Sequence, residues 1–170
     1  MAPTIRVPRV LSALPAPVRW AAPPVALLGC IGLLLADWSA PAEIVVPEPG
    51  ARAASYCRAL AEALPQTLLG HPRKDPSPAS PYVAVWDSSP RTVLRCGVPR
   101  PDALDDAGET KYPEVNGVVW FPQRDRDGGV RFTTTLRRAN VEVYVPAGAY
   151  PDQLEPPSAL ADVVRDNVPQ

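Results

Sequence analysis

Cysteine and histidine are the residue types in this chain with the widest chemical range, and both are scarce. The 170 residues contain one histidine, His71, and three cysteines, Cys30, Cys57 and Cys96. No cysteine lies in a CxxC motif, so the chain has too few suitably spaced ligands for a zinc site. A nucleophilic cysteine would need a base, and no GxSxG or similar context places His71 in a Ser-His-Asp site. The sequence therefore predicts no catalytic residue, no metal site and no cofactor.

Acidic residues form a second group that could do chemistry. Four carboxylates lie close together in one segment: Asp102, Asp105, Asp106 and Glu109. Their spacing differs from that of a calcium-binding EF-hand loop, which predicts a solvated loop instead. The sequence contains neither a GxxxxGK[ST] phosphate loop nor a GxGxxG dinucleotide motif. The formal net charge of −1 lacks the basic excess of nucleic-acid-binding proteins, so no nucleic-acid partner is predicted.

Arginine is the third candidate, because the chain has 15 arginines and two lysines. Several arginines are predicted on strand faces opposite the apolar face, where guanidinium groups could grip carboxylates or phosphates in a bidentate manner. The predicted contact for an anionic wall polymer, or for the acidic patch of an envelope protein, consists of Arg95, Arg100, Arg131, Arg137 and Trp120. The competing interpretation is that Glu142 and neighbouring acids pair with these arginines across strands.

The N-terminal segment indicates where this chemistry would take place. Residues 1–36 contain three arginines and no acid, and residues 20–36 form an uncharged stretch of 17 residues. That length is the lower limit for spanning a bilayer. Three interpretations compete: an uncleaved anchor, a signal peptide cleaved after "APA" at 40–42, and a lipoprotein signal with Cys30 as the lipidated residue. Each of them places everything after about residue 43 outside the cytoplasmic membrane.

Export changes how the two remaining cysteines are interpreted. An oxidising compartment favours a disulfide between Cys57 and Cys96. Residues 50–64 are predicted to be helical, with an apolar stripe at three- and four-residue steps that includes Cys57. Residues 92–98 alternate as a strand, with Leu94, Cys96 and Val98 on the apolar face. A helix packed on a sheet would bring the two cysteines together.

The other elements follow from the proline-free windows, since proline disrupts helix interiors and central strands. Strands are predicted at 82–86, 115–122, 130–138 and 141–146, and a helix after Ser158 as N-cap. Asn116-Gly117 is a hairpin signal within 115–122, but one continuous strand fits equally well. Residues 71–81, with four prolines in eleven residues, are predicted as a surface loop. Along 130–138 the apolar face is predicted to carry Val130, Phe132, Thr134 and Leu136.

These elements predict an α+β fold in which a small antiparallel sheet is covered on one face by two helices. The predicted organisation has four parts: a basic cytoplasmic N-terminus at 1–19, a transmembrane helix or signal core at 20–38, a linker at 39–50, and an extracytoplasmic domain at 51–170. The localisation predicted is the cell membrane, as a single-pass protein, with secretion after signal cleavage as the alternative.

Four segments resemble a known family in their order and spacing: "YCRALAEALP", "VLRCGVPRP", "VNGVVW" and "RFTTTLRRANVEVYVP". The family is the actinobacterial domain of unknown function 3515, and the resemblance covers roughly residues 55–146. It implies an actinomycete origin and a membrane-associated or secreted placement, and it brings no catalytic or ligand-binding residues. Asp87-Ser88 stands where the resemblance implies glycine in a turn.

Two function hypotheses follow from these patterns. The first is a non-enzymatic binding or accessory domain, tethered to the outer side of the cytoplasmic membrane and contacting an envelope protein or a wall polymer. The alternative is an envelope hydrolase with an unfamiliar site. A cleft that gathers His71 with a serine or a carboxylate would favour the hydrolase, and a flat sheet face would favour the binding domain.

The N-terminal pattern gives a first prediction about topology. Protease added to spheroplasts should remove a tag fused to the C-terminus, because the arginines on the N-terminal side retain that end in the cytoplasm. Protection of the tag in spheroplasts whose external marker proteins are digested would contradict the predicted orientation. N-terminal sequencing of the mature protein separates the interpretations, since Glu43 as first residue would mean cleavage after "APA".

Overall fold

The computed structural model describes residues 44–105 and 111–170. Two helices, one 3₁₀ turn and eight strands account for most of this part of the chain. In chain order these elements are α1 (Ala51–Ala63), β1 (Thr67–Leu68), β2 (His71–Lys74), β3 (Val83–Trp86), β4 (Thr92–Cys96), the 3₁₀ turn (Asp102–Leu104), β5 (Glu114–Val115), β6 (Val118–Arg124), β7 (Val130–Thr134), β8 (Val141–Val145) and α2 (Glu155–Asn167).

The strands form one antiparallel sheet in the order β1-β2-β3-β4-β8-β7-β6-β5. Strand β8 inserts between β4 and β7, so the sheet consists of two meanders joined at its centre. Both helices pack on the same face, which we call the inner face, against buried residues of the central strands. The predicted α+β class, with an antiparallel sheet and two helices, is confirmed.

The inner face follows the predicted alternation closely. Val141, Val143 and Val145 of β8 are fully buried, as are Leu60 of α1 and Leu160 of α2. Helix α1 ends at Ala63, because Pro65 disfavours helical geometry in the preceding residue. The stripe that includes Cys57 faces the sheet, and Arg52, Ser55 and Arg58 are exposed on the opposite side.

Asn116-Gly117 forms a hairpin turn and does not continue a strand. Both residues have positive φ, 50° and 77°, as a type I′ turn requires. The turn joins β5 to β6, and β6 continues through Pro122. At that position β6 pairs only with β7. The N–H of Trp120 points away from β7, and the nitrogen of Pro122, two residues later, points the same way. The proline therefore removes no hydrogen bond between β6 and β7.

Three predictions of local structure are wrong. The predicted loop at 71–81 begins with strand β2, which forms a hairpin with β1 through the two-residue turn Leu69-Gly70. Strand β7 ends at Thr134 instead of continuing to residue 138, which leaves Leu136 exposed in the bend that follows. Helix α2 begins at Glu155, three residues before Ser158, because its early prolines occupy the first turn, where backbone N–H groups lack helical partners anyway.

Part of the predicted linker packs on the outer face of the sheet. Ile44 is buried against Val83 and Val85, and Val46 packs beside them. The chain then passes Gly97, where a Cβ atom would lie 2.5 Å from the Cβ of Pro49, and enters α1 on the inner face. We call residues 44–49 the strap, because they cross from one face of the sheet to the other. The predicted membrane segment at 20–38 lies outside the described residues.

The disulfide between Cys57 and Cys96 is confirmed. Its Cα atoms are 5.5 Å apart, and it joins α1 to β4 across 39 residues of sequence. Both cysteines are 1% exposed, within the core between helix and sheet. The cross-link therefore lies inside the hydrophobic core, where reductants have little access.

Removal of the disulfide should destabilise the domain strongly. Closing a loop of this length constrains the unfolded chain by about 4 kcal/mol in the chain-entropy account. For a domain of this size, that corresponds to a fall of roughly 15 °C in melting temperature for Cys57→Ser/Cys96→Ser. Differential scanning calorimetry measures it. A reductant should lower the melting temperature of the parent protein and leave that of the double variant unchanged; equal melting temperatures for the two proteins would refute this role.

Candidate functional site

The outer face of the sheet carries the predicted arginines of β4 and β7, and each is paired with a carboxylate. Arg95 donates two hydrogen bonds to Glu142 Oε1, at 3.0 and 2.6 Å, and a third to the carbonyl of Val45 in the strap at 3.3 Å. Arg131 donates to Asp125 Oδ2 at 2.7 Å. These contacts match the competing interpretation, in which acids on the same face neutralise the arginines.

Arg100 lies apart from that face, beyond the end of β4. Its Nε donates to Asp105 Oδ1 at 3.1 Å, and both side chains are largely exposed. An exposed pair of this kind contributes little to stability, since water screens the charges. Either partner therefore remains able to exchange this contact for another ligand.

The prediction that Arg137 lies on a strand face is wrong. β7 ends before Arg137, which instead donates to the carbonyls of Val168, at 2.9 Å, and Gly117. It thereby caps the last turn of α2 and holds the β5–β6 turn beside it. Burial lowers the pKa of its guanidinium, and the positive charge of Arg165 lowers that pKa further.

Trp120 is also not part of the outer face. Its side chain is fully buried on the inner face, within the main core cluster. The register explains why, because Trp120 pairs with Thr134, which shares a face with the buried Phe132. The thickness of the sheet therefore separates Trp120 from Arg95 and Arg131, and the predicted five-residue contact is not one surface.

A different region has the geometry of a binding site. An open groove of about 760 Å³ lies between the C-terminal end of α1, strand β2 and the loop that leads to β3. We call it the edge groove. The polar and charged residues that line it are Glu62, Gln66, Arg73, Lys74, Asp75 and Ser80. Prolines 76 and 81 form part of its wall and stiffen the loop.

The cations of the edge groove are differently placed. Arg73 is half-buried, and one of its terminal nitrogens donates to the carbonyl of Ala61 in the last turn of α1 at 3.1 Å. That bond fixes the guanidinium against the helix end. Lys74 is exposed and lies 3.6 Å from Asp87, a distance typical of a loose surface pair. The groove thus offers one fixed fork of donors, the guanidinium of Arg73, whereas the ammonium of Lys74 lies on the other side of β2 with Asp87.

His71 lies outside the edge groove. Its ring contacts the ring of Tyr150 edge-on, with centroids 5.3 Å apart. Tyr150 begins a chain of buried hydroxyl groups. The hydroxyl of Ser88 donates its one proton to the carbonyl of Pro90 at 2.7 Å. The hydroxyl of Thr92 must therefore donate to Ser88 at 2.8 Å, and that of Tyr150 to Thr92 at 2.9 Å. With its proton used in this way, Ser88 joins the β3–β4 turn to the loop before α2, which is a structural role.

Asp127 and Tyr144 form a polar cluster near the β7–β8 pair, and both have shifted pKa values. Tyr144 donates to Asp127 Oδ2 at 2.6 Å, and the N–H of Gly129 donates to Oδ1 at 2.9 Å. The bond from Tyr144, followed by that from Gly129, lowers the pKa of Asp127 below its ordinary value. Burial, together with the same hydrogen bond, raises the pKa of Tyr144 to about 12.

Comparison with known proteins identifies the family. The model of the family described as "Protein of unknown function (DUF3515)" matches residues 25–170, which is most of the chain. The chain belongs to this family. No curated protein and no solved structure matches it. The four sequence segments that suggested the family all lie within the matched range.

Sequence reasoning missed the edge groove of this DUF3515 chain. The groove is built from a stretch whose many prolines predicted a featureless loop, and β2 itself contains Pro72. A usable signal was present in "RKD" at 73–75, where two cations and an acid follow one another between prolines. Among the described residues, no group of three His, Cys, Asp or Glu side chains is arranged to hold a metal ion. No helix in the same ranges is both long and apolar enough to cross a membrane.

The Tyr144–Asp127 contact of the DUF3515 domain predicts a window of pH. The lowered pKa of Asp127 means that this stabilisation is complete above its ordinary value of 3.8 and is lost as the pH falls further. The raised pKa of Tyr144 means that its stabilisation is complete below the ordinary value of 10.0 and is lost as the pH rises through about 12. Between these limits, Tyr144→Phe should lower the melting temperature by a constant amount.

Two measurements check this window. The difference in melting temperature between the parent protein and Tyr144→Phe should be constant at neutral pH and shrink in acid. Ultraviolet titration of the phenols should show one tyrosine of the parent protein that ionises at a pH of about 12 and is missing from the variant. A difference that grows as the pH falls would contradict the sign derived above.

Proposed function

We propose that this protein is a non-enzymatic binding domain, tethered at the outer side of the cytoplasmic membrane, whose edge groove holds a carboxylate-bearing polysaccharide of the cell envelope. The observation that carries the proposal is the edge groove itself. Its volume of about 760 Å³ is large enough for more than one sugar unit. Its open shape suits a polymer, which must enter and leave from the side.

The chemistry of the groove supports a ligand with both hydroxyl groups and negative charge. Gln66, Ser80 and Glu62 provide donors and acceptors that suit sugar hydroxyls. The guanidinium of Arg73, already oriented by the carbonyl of Ala61, suits a carboxylate. Lys74, on the other side of β2, adds positive charge near the groove but no oriented contact.

The mixed charge of the groove argues against a densely charged ligand. Glu62 and Asp75 line the same walls as the two cations. A polymer with one phosphate per unit would meet these acids as well, at a cost from like-charge repulsion. A polysaccharide with widely spaced carboxylates places its charge at Arg73 and its hydroxyls at the acids, where they can donate hydrogen bonds.

The tether rests on the N-terminal sequence pattern, which supports export independently of the groove. The disulfide is consistent with an oxidising compartment. A domain held at the membrane surface experiences a high local concentration of wall polymer, so a weak groove is sufficient for function. Such a protein would position or retain the polymer near the membrane.

The proposal is tested by isothermal titration of the purified protein with an acidic polysaccharide such as polygalacturonate, with its neutral reduced form as the comparison ligand. We expect Arg73→Gln to weaken binding about tenfold and Lys74→Ala to weaken it less, because only Arg73 is oriented for a bidentate contact. The neutral polymer should bind the parent protein more weakly than the acidic polymer does. Its affinity should be the same for the parent protein and for Arg73→Gln.

The matched control is Arg131→Gln. Arg131 is likewise a half-exposed arginine of a strand, but it lies on the outer face and outside the groove. Its replacement should leave binding unchanged. Equal losses for Arg73→Gln and Arg131→Gln would indicate a general charge effect, and unchanged binding for Arg73→Gln at a preserved melting temperature would refute the edge groove as the site.

A further inference from the structure

Leu136 combines two features that are unfavourable in an isolated domain. Its side chain is 73% exposed, and its backbone is left-handed, with φ of 58°. A single exposed leucine is common on protein surfaces. A bulky residue held in the left-handed region is not, because its Cβ crowds the following carbonyl group, and such outliers gather at functional positions.

The bend that carries Leu136 is fixed on both sides of its backbone. Arg137 donates to the carbonyls of Val168 and Gly117, as described above. The neighbouring Arg138 donates its backbone N–H to Pro169 and its Nε to Gln170, both at 2.9 Å. Leu136 is therefore presented outward from a rigid support, and it loses little conformational freedom when a partner covers it.

A hollow that could receive a leucine is lined in part by residues 138–140, which follow Leu136 in the chain. It has a volume of about 380 Å³, and Arg138, two residues after Leu136, forms part of its wall. Its apolar lining consists of Pro47, Pro49, Ala53, Val98, Pro99 and Ala139. We call it the strap hollow, because the strap forms one side. Its shape is rigid, because the ring of each proline fixes the φ angle and because Pro49 packs directly against the backbone of Gly97.

We propose that two copies of this chain associate through a two-fold axis, with Leu136 of each copy inserted in the strap hollow of the other. A two-fold interface requires one patch that contains both a protruding element and its complement. Leu136 and the strap hollow meet this requirement, because they share the segment from 136 to 139. Reciprocal insertion buries the exposed leucines of both copies. It leaves no unoccupied hollow for a third copy, so the assembly is a dimer and not a filament.

Charge favours a second copy over an unrelated partner. Glu48 and Arg138 line the strap hollow, and both side chains are exposed. Under a two-fold axis, Glu48 of one copy faces Arg138 of the other, twice over, so the rim of the hollow is complementary to itself.

Site-specific photocross-linking in cells tests this arrangement on the full chain. A photoreactive residue replaces Leu136, and the matched control carries it at Leu69, which among the described residues is the second exposed leucine with positive φ. We expect a covalent product of twice the chain mass from position 136 only. Mass spectrometry should map the attachment to residues 47–53 or 97–99. A product that contains a different protein, or a dimer joined elsewhere in the chain, would overturn the proposal.

Charge reversal gives a second, independent readout. Glu48→Arg and Arg138→Glu should each lower the yield of the cross-linked dimer roughly tenfold, since each places like charges opposite one another. The double variant Glu48→Arg/Arg138→Glu should recover most of the yield, because both copies then carry the exchanged pair. Failure of the double variant to recover, with its melting temperature preserved, would exclude the two-fold arrangement.

Loss of folding is separated from loss of association by Leu136→Asn. Asparagine adopts the left-handed conformation more readily than leucine, so the melting temperature at low concentration should stay equal or rise. The melting temperature of the parent chain should increase with protein concentration, as expected of an associating protein, and that of Leu136→Asn should not. Leu69→Asn should keep the concentration dependence. The same dependence in Leu136→Asn would rule out Leu136 as the contact.

Discussion

The disulfide between Cys57 and Cys96 is the constraint on which the inner half of this structure depends. It fixes α1 to β4, the strand that joins the two meanders of the sheet. All residues that line the edge groove, from Ala61 to Val83, lie within the loop that the disulfide closes. The β1–β2 hairpin is short and belongs to the same loop. The covalent bond between α1 and β4 therefore limits how far the elements that form the groove can separate, although the groove walls are polar.

The outer half depends on the contact between Arg95, Glu142 and the strap. Glu142 is buried, and a buried carboxylate is costly unless it is paired. Arg95 satisfies it and at the same time holds the carbonyl of Val45. The strap thus covers the valines of β3 and β4, and in return its position depends on an ion pair in the sheet. This sheet has apolar residues on both faces, and the strap covers those on the outer face. A sheet that is apolar on one face only would not need such a cover.

Local patterns predicted the parts of this fold that local physics determines. The apolar stripe of α1, the end of that helix before Pro65 and the alternation of β8 are properties of short segments, and they agree with the structure. The disulfide followed from two such segments and one inference about the compartment. The β1–β2 hairpin escaped prediction because Leu69-Gly70 is an unusual sequence for its turn and because Pro72 lies in a strand. The predicted arginine surface failed for a different reason. Whether an arginine is free depends on partners such as Glu142, 47 residues from Arg95 in the sequence, and strand order cannot be deduced from alternation alone.

Pro122 determines how this sheet behaves in a crowded compartment. Strand β6 extends beyond the two-residue β5, and the N–H of Trp120 still donates to the carbonyl of Pro113, so the outward edge of β6 is uncovered only beyond Trp120. An uncovered edge is normally a template on which a foreign strand can continue the hydrogen-bonded ladder, the first step of amyloid-like aggregation. Proline supplies no N–H group at the outward position, and its ring occupies the space where the foreign backbone would lie. The open side of the sheet is thus protected by one residue, and the protein can remain at high local concentration without runaway growth of the sheet.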